Sequence, residues 1–407
     1  MKIKLKNKDN PITQMWCFNS NGYSSDIVDK INSGKQVEVE RVPKPAWEYI
    51  EEVKIIKKKK KEEKKMAIST SAYSPKEFQV LIAEQDAFGT IEASGGNPYH
   101  ALDVDSVGSP SLNPVQALDV RNGSRVLQAT DFFQDVKTSI KEISVSGTAT
   151  TNVLDMLLEN IMGEAEGAAS GVYSFLSNKA VQQVGTGDSS LVGTMLSVVI
   201  KSGFGTNADL SFKDCVVTNL TLNGDAGTEG GRIKFSATFQ TGSTVEDLTD
   251  AATTVDTAFT AASENYLMSS WTDPDYRQIV GVNSLLMSSF SLTLDNPATF
   301  HGVTTNGYEL CVRAGEFSAT LDATVKYDDK TEDMFEVLNN QSTGASKGIT
   351  LLNNDASLTD ANFGINMPAS VLTNVSFNEG DIMMLDLSVK AVGSGIGSST
   401  ALVEVAC

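Results

Sequence analysis

The chain has little histidine, cysteine, proline or aromatic content, and each shortage removes a class of protein. Of 407 residues only His100 and His301 are histidine, far apart and each behind an aromatic residue, so a His-rich metal centre or a His-based triad lacks its raw material. Cys17, Cys215, Cys311 and Cys407 are scattered without a CxxC pair. That argues against a zinc site or a disulfide scaffold and suits structural thiols in a reducing compartment. The 10 prolines stand against 32 glycines and 41% hydrophobic residues, a composition that is neither fibrous nor disordered and can bury real cores. No apolar run approaches the ~20 residues of a membrane helix, and the opening MKIKLKNKDN leads into no apolar signal core. Neither membrane insertion nor Sec export is expected.

What is abundant is negative charge. The net charge of −19 divides unevenly: residues 1–65 hold 16 Lys and Arg against 10 Asp and Glu, while residues 66–407 hold 16 against 41. The leader is therefore +6 and the body −25, and such a body repels phosphate. A sequence reader of DNA is excluded.

Lys57–Lys65 (KKKKKEEKK) reads as a solvated linker that closes a basic extension, residues 1–65. Within it GKQVEVERV (34–42) alternates as a strand and PKPAWEYIEEV (43–53) reads as a helical turn or two. Met66-Ala67-Ile68 has the look of a protein start, so the extension reads as an addition to a body that once began there. The rest divides into a first β domain (66–245), a small acidic linker (246–262) and a second β domain (263–407).

The division rests on an internal repeat. Val216-Val217-Thr218-Asn219-Leu220-Thr221-Leu222-Asn223 matches Val371-Leu372-Thr373-Asn374-Val375-Ser376-Phe377-Asn378 position by position in apolar, hydroxyl and amide character. Each copy turns through glycine and acid, at Gly224–Gly231 and at Glu379–Asp381. Each then alternates again, at Ile233, Phe235, Ala237, Phe239 and at Leu385, Leu387, Val389, Ala391, so each half ends in a hairpin with one buried face. Earlier, each half runs from strand into helix. Ser144–Gly163 offers Thr151 or Asn152 as N-cap, an apolar stripe Val153, Leu154, Leu157, Leu158, Ile161, and Gly163 as the stop. Ala323–Asn340 offers Thr331 as cap, Glu332 and Asp333 in the first turn, and Met334, Val337, Leu338 inward. The first half carries extra residues in Gly163–Gly193, read as a loop or flap. A phase shift between Ile140 and Ile143 predicts a bulge there. Phe290, Leu292, Leu294 and Phe317 to Tyr327 read as further strands.

Candidate chemistry elsewhere dissolves on inspection. Gly203-Phe204-Gly205-Thr206-Asn207-Ala208 matches a dinucleotide fingerprint, but the following Asp209–Val217 reads as strand and supplies no helix N-terminus. Asp103, Asp105, Asp328 and Asp329 lack the glycine and distal glutamate of a calcium loop. Gly393–Ser399 lacks the lysine of a phosphate loop and reads as a joint. The lysine run Lys57–Lys61 reads as a tether, and Met367, Met383 and Met384 read as core. No catalytic, cofactor-binding or metal-binding residues are expected.

The strand-helix units Ser144–Gly163 and Ala323–Asn340 and the hairpins Lys213–Gly242 and Ala369–Gly395 resemble the tail tube proteins of long-tailed bacteriophages, over residues 66–395. The resemblance implies a mainly β fold: two tandem antiparallel β-sandwich or split-barrel tube-type domains, each with one packed helix, beside the small N-terminal extension. It implies a structural virion protein with no catalytic residues, assembled in the host cytoplasm and resident in the virion tail. Its implied partners are itself, in stacked rings, together with tape measure, terminator and distal tail proteins, while double-stranded DNA passes through the channel without specific binding. Ring closure abolishes lateral edge strands, and an acidic wall offers phosphate no purchase. If family rings hold six tube domains, a duplicated chain closes trimeric rings with about 24 inner strands. Gly163–Gly193 and the tip Gly224–Gly231 are the candidate contacts between rings. The alternative is a virion decoration or receptor-binding β-protein, whose aromatic cluster would be Trp271 and Tyr276. A hydrolase would need a nucleophile–base pair that the sequence lacks.

Overall fold

In the computed structural model the chain divides into two compact units, Met1–Tyr73 and Ser74–Cys407. The structure describes residues 2–5, 25–38, 50–52, 78–92, 99–108, 110–118, 132–135, 139–163, 171–177, 182–185, 195–201, 210–225, 227, 231–247, 277–304, 307–340, 347–352, 358, 362–393 and 398–407.

In the first unit β1 (Lys2–Leu5) is flanked antiparallel by β2 (Val37–Glu38) and β3 (Ile50–Glu52), while α1 (Ser25–Asn32) buries Val28 and Ile31. The helical turn expected over 43–53 ends instead in strand β3. Leu5 and Ile3 present a strand edge to Ile50 and Glu52, and a ladder of backbone bonds outcompetes a helix this short.

The second unit is mainly β. Its first half contributes β4 (Gln79–Gln85), β5 (His100–Ala101), β6 (Asp103–Val107), β7 (Val115–Leu118), β8 (Phe132–Asp135) and β9 (Lys141–Thr148). Helix α2 (Thr151–Met162) follows, then β10 (Val172–Leu176), β11 (Gln182–Gly185), β12 (Met195–Lys201), β13 (Leu210–Asp225), β14 (Lys234–Thr241) and β15 (Glu246–Asp247). The second half contributes β16 (Arg277–Gln278), β17 (Met287–Asp295), β18 (Thr299–Thr304), β19 (Gly307–Arg313) and β20 (Ser318–Lys326). It ends with α3 (Met334–Asn340), β21 (Lys347–Leu352), β22 (Gly364–Asn378), β23 (Met384–Ala391) and β24 (Ala401–Ala406).

Two long strands organise everything. The start of β13 pairs with β12 and β15, and its end with β14 and β17; the start of β22 likewise pairs with β21 and β24, and its end with β23. Each long strand thus passes from one sheet layer into another, as corner strands of a sandwich do. The turning point in β13 is Asp214, at φ 54°, a left-handed conformation that acidic and amide residues adopt more readily than most. Between the layers lies a core of Val198, Phe212, Leu220, Phe235, Phe239, Leu292, Leu321 and Leu387.

Helix α2 seals the first half with Val153, Leu154, Leu157, Leu158 and Ile161, all buried as the apolar stripe predicts. Its N-cap is Thr150, one residue earlier than expected. Its last turn closes at Gly163, whose positive φ of 101° is glycine territory and whose N–H donates to Glu159 O. Before α3, the Thr331 hydroxyl accepts from Asp328 N and donates to Lys326 O, which fixes the approach to the helix.

Three expectations change. The segment 163–193 is not simply a loop: β10 pairs with β24, and β11 with β19, so this insertion is stitched into the second half. The ladder of β9 with β14 runs without a register shift from Lys141 to Thr148, and the bulge sits across from it, in β6 between Val104 and Ser106. Met367 is buried, but Met383 is 42% exposed beside Ile382 at 63%, so the β22–β23 tip is apolar surface rather than core.

Candidate channel-lining face and assembly edges

Eight strands form one antiparallel run in the order β6-β9-β14-β13-β17-β20-β23-β22, four from each half. The fourth strand of the first half meets the first strand of the second along Asn219↔Asp295 through Asp225↔Ser289. The halves repeat in register as well as in sequence. β6 and β17 bulge at the same place, Val104/Ser106 and Met287/Ser289, as do β13 and β22, at Val217/Asn219 and Leu372/Asn374. The hairpins β7–β8 and β18–β19 correspond too, with Ala117↔Phe133 standing where Phe300↔Cys311 stands in the second half.

Alternation gives this run two unlike faces. One is the buried core. The other carries Ser144, Ser146, Ser236, Thr238, Thr221, Asn223, Ser291, Thr293, Thr320, Thr324, Ser388 and Ser376, small polar groups at every second position. Many are satisfied across strands: Ser106 with Ser146 at 2.8 Å, Thr221 with Thr293 at 3.3 Å, and Thr324 donating to Asp386 at 2.7 Å. The charges at these positions are Glu142, Asp103, Asp105, Asp225, Asp295, Asp322 and Asp386 against Lys234, Lys326 and Lys390. Lys234 lies 2.8 Å from Asp105 and Lys390 3.4 Å from Glu316, so two of these lysines already face carboxylates. An open groove of about 630 Å³ at one end of the face sets Arg232 and Lys234 against Asp225, Asp322 and Asp386. A surface of small hydroxyls with more acid than base carries few groups that would hold a polyanion.

Among the described residues the run ends at two edges without a further strand, β6 and the end of β22, and their exposure differs from that of the closed junction between halves. Leu222, whose strand is covered by β17, is fully buried, while its counterpart Phe377 is 52% exposed and meets the rings of Tyr327 and Phe335, at 5.5 and 4.8 Å between ring centroids. Val107, at the other edge, is half-buried where its counterpart Phe290 is buried.

The junction inside the chain is clamped. At the β13 bulge Val217 N donates to Asn160 Oδ1 at 2.7 Å, while Arg313 from β19 donates to Val217 O at 3.0 Å, to Asn160 Oδ1 at 2.9 Å and to Ile161 O at 3.3 Å. Asn296 completes the clamp, its side-chain amide donating to Ile161 O and its backbone N–H to Thr218 O. Burial pushes the Arg313 guanidinium down to about 10, still far on the charged side of neutral pH. It therefore serves the C-terminal carbonyls of α2 as a cation.

Nearby, Asp214 accepts from Gln85 Nε2 at 2.6 Å, from Gly89 N at 2.7 Å and from the Ser243 hydroxyl. Burial nevertheless raises its carboxyl above the ordinary 3.8, outweighing the opposing bonds from Ser243, Gly89 and Gln85. A carboxyl raised on folding stabilises at low pH, and that contribution is lost as pH rises through its folded value. Wild type is therefore expected to gain stability over Asp214→Asn as pH falls from 7 through that raised value toward 3.8, by about 1.4 kcal/mol for every tenfold by which folding tightens proton binding. Denaturant unfolding of both proteins between pH 4 and 7 reads this; parallel curves would show that Asp214 does not titrate with folding.

The residues singled out in the sequence are dispersed. His100 lies in β5 and His301, exposed on β18, sits 3.2 Å from Thr299 Oγ1 in a different sheet. Cys215 and Cys311 are buried and Cys407 half-buried, all free, with burial pushing each thiol up. Asp328 caps its own turn by accepting from Lys330 N. The strands β12 and β13 flank the glycine-rich 203–208 segment as an antiparallel pair. Cys17, the lysine run 57–61, Trp271, Tyr276 and residues 203–208 lie outside the described residues, as do residues 226 and 228–230 of the tip and most of the linker 246–262. Among the described residues no helix is long and apolar enough to cross a membrane. Sequence reading missed Arg313 and Asn296, because nothing local marks a lone arginine on an alternating strand as the clamp of a distant helix.

A duplicated antiparallel module with a sealed core, a polar face of small side chains and open strand edges defines a structural assembly protein. The family described as phage tail tube protein matches residues 78–400, and the chain belongs to it: it is a structural tail tube protein of the virion tail. A search of the curated proteins finds no match.

Proposed function

We propose that the chain closes trimeric, pseudo-sixfold rings, in which 66–245 and 263–407 act as two tube domains joined through 246–262. The end of β22 pairs with β6 of the next copy, and the polar face of the eight-strand run turns inward. Three chains supply about 24 strands, wide enough for an open channel. The observation that carries this reading is the β13–β17 ladder, which makes the same junction once within the chain. The Asn113-Pro114 pair beside the β6 edge repeats the Asn296-Pro297 pair beside β17, as a second junction of that kind requires. Stacked rings then form an inert tube for passage of double-stranded DNA, built in the host cytoplasm with tape measure, terminator and distal tail proteins, and without enzymatic activity.

Negative-stain images and native mass measurement of the purified protein test this. Hollow particles of three chains with six similar lobes are expected, and a plasmid should migrate unretarded beside them at physiological salt. Six whole chains per ring, or protein dispersed at every concentration, overturns the reading.

A further inference from the structure

The hairpin β18–β19 does more than extend the second half. It reaches back over the first half, where Phe300 and Cys311 are 9% and 3% exposed in a cluster with Met195 and Val216, and Ala298 packs against them. The approach is close: a Cβ on Gly242 would stand 2.9 Å from the Phe300 ring and 2.6 Å from that of Tyr308. Strand β11 then seals the outer side of β19.

Its counterpart in the first half, β7–β8, has the same register, and its described side chains have no such seat. Val115 is 47% exposed where its counterpart Ala298 packs into the cluster, and Ala117 is exposed where Phe300 is buried. The corresponding seat exists on the second half. Pairing of Val371 with Lys390 repeats that of Val216 with Gln240, which makes Val371 the counterpart of Val216 and Val392 that of Gly242. Both Val371 and Val392 are half-exposed. The sizes are exchanged in step. Where the first half offers glycine to a phenylalanine, the second offers valine to an alanine, so the summed bulk across the contact is kept, as close packing demands.

We propose that β7–β8 is a clasp that crosses the chain boundary and seats Ala117 and Val115 on Val371 and Val392 of a second copy, as β18–β19 seats Phe300 within one chain. The clasp rests on the ring reading above, since it fits only a copy placed beside β22. It makes each junction two-layered: a strand ladder on the channel side and a hairpin over the outer layer.

The double variant Ala117→Cys with Val371→Cys tests this in the full chain under mild oxidation, with Phe300→Cys plus Val216→Cys as the internal standard. Covalent trimers on a denaturing gel are expected from the first pair, and an unchanged monomer mass from the second. Rings of normal appearance without covalent trimers overturn the clasp and leave the ring reading standing. Absence of rings from wild type removes both. Should the cysteine pair impair folding, Val115→Asp serves instead: at an exposed position it leaves the monomer's unfolding midpoint unchanged, and it is expected to raise the concentration needed for rings at least tenfold. An unchanged concentration dependence overturns the clasp.

Discussion

Phe377→Asp is expected to leave a folded chain that no longer closes rings. In the single chain Phe377 is 52% exposed, so a carboxylate there remains hydrated and the loss includes the ring contacts with Tyr327 and Phe335. In the closed ring it would occupy the environment of Leu222, which is fully buried beneath β17. An ionised group with no partner cannot be buried there without a cost of about 3 kcal/mol or more, roughly a hundredfold in affinity at each junction. A ring requires every junction at once, so closure fails by a far larger factor. Leu222→Asp supplies the contrast, because the same charge at the covered junction strikes the fold itself and should unfold the chain. Sedimentation and denaturant titration of both variants read the two effects. Intact rings from Phe377→Asp would mean that the β22 edge stays open to solvent in the assembly.

How much of this could be read beforehand follows from which forces are local. The strand ends of each half, the α2 stripe and the matched hairpins were legible because alternation, helical periodicity and turn chemistry act within about ten residues. The pairing of β10 with β24 and β11 with β19 was not, since strand partners so far apart in the chain leave no mark on either segment. Phe377 and Met383 illustrate a second limit. Their alternation is that of core residues, yet Phe377 lies on a strand with no neighbour on one side among the described residues and Met383 at the tip of the β22–β23 hairpin, and both are surface. Sequence pattern reports what a side chain is suited to cover; it does not report whether the cover lies in the same molecule. In a subunit made to polymerise, that ambiguity concentrates at the edges where its function lies.

At the covered junction inside the chain the fastening is Arg313. Arg313→Ala is expected to cost about 3 kcal/mol of stability. Ile161 O keeps its bond from Asn296 and Asn160 Oδ1 keeps its bond from Val217 N, so the loss falls on Val217 O, on the emptied volume and on the charge at the end of α2. Relief from burying a guanidinium offsets part of it, which keeps the figure at the lower end of what breaking a buried ion pair costs. Arg313→Lys should recover less than half, because a single ammonium cannot serve Ile161 O together with Val217 O and Asn160 Oδ1, which the planar fork reaches from Nη1 and Nη2. Denaturant midpoints at constant m-value read these differences; a lysine variant as stable as wild type would show that charge alone suffices. By register with β18–β19, the position of Arg313 is held in β7–β8 by Asp135, which cannot donate to helix carbonyls. Under the proposed assembly the junction inside the chain therefore outlasts the junctions between chains, and rings should dissociate into intact monomers at denaturant concentrations that leave the two halves joined.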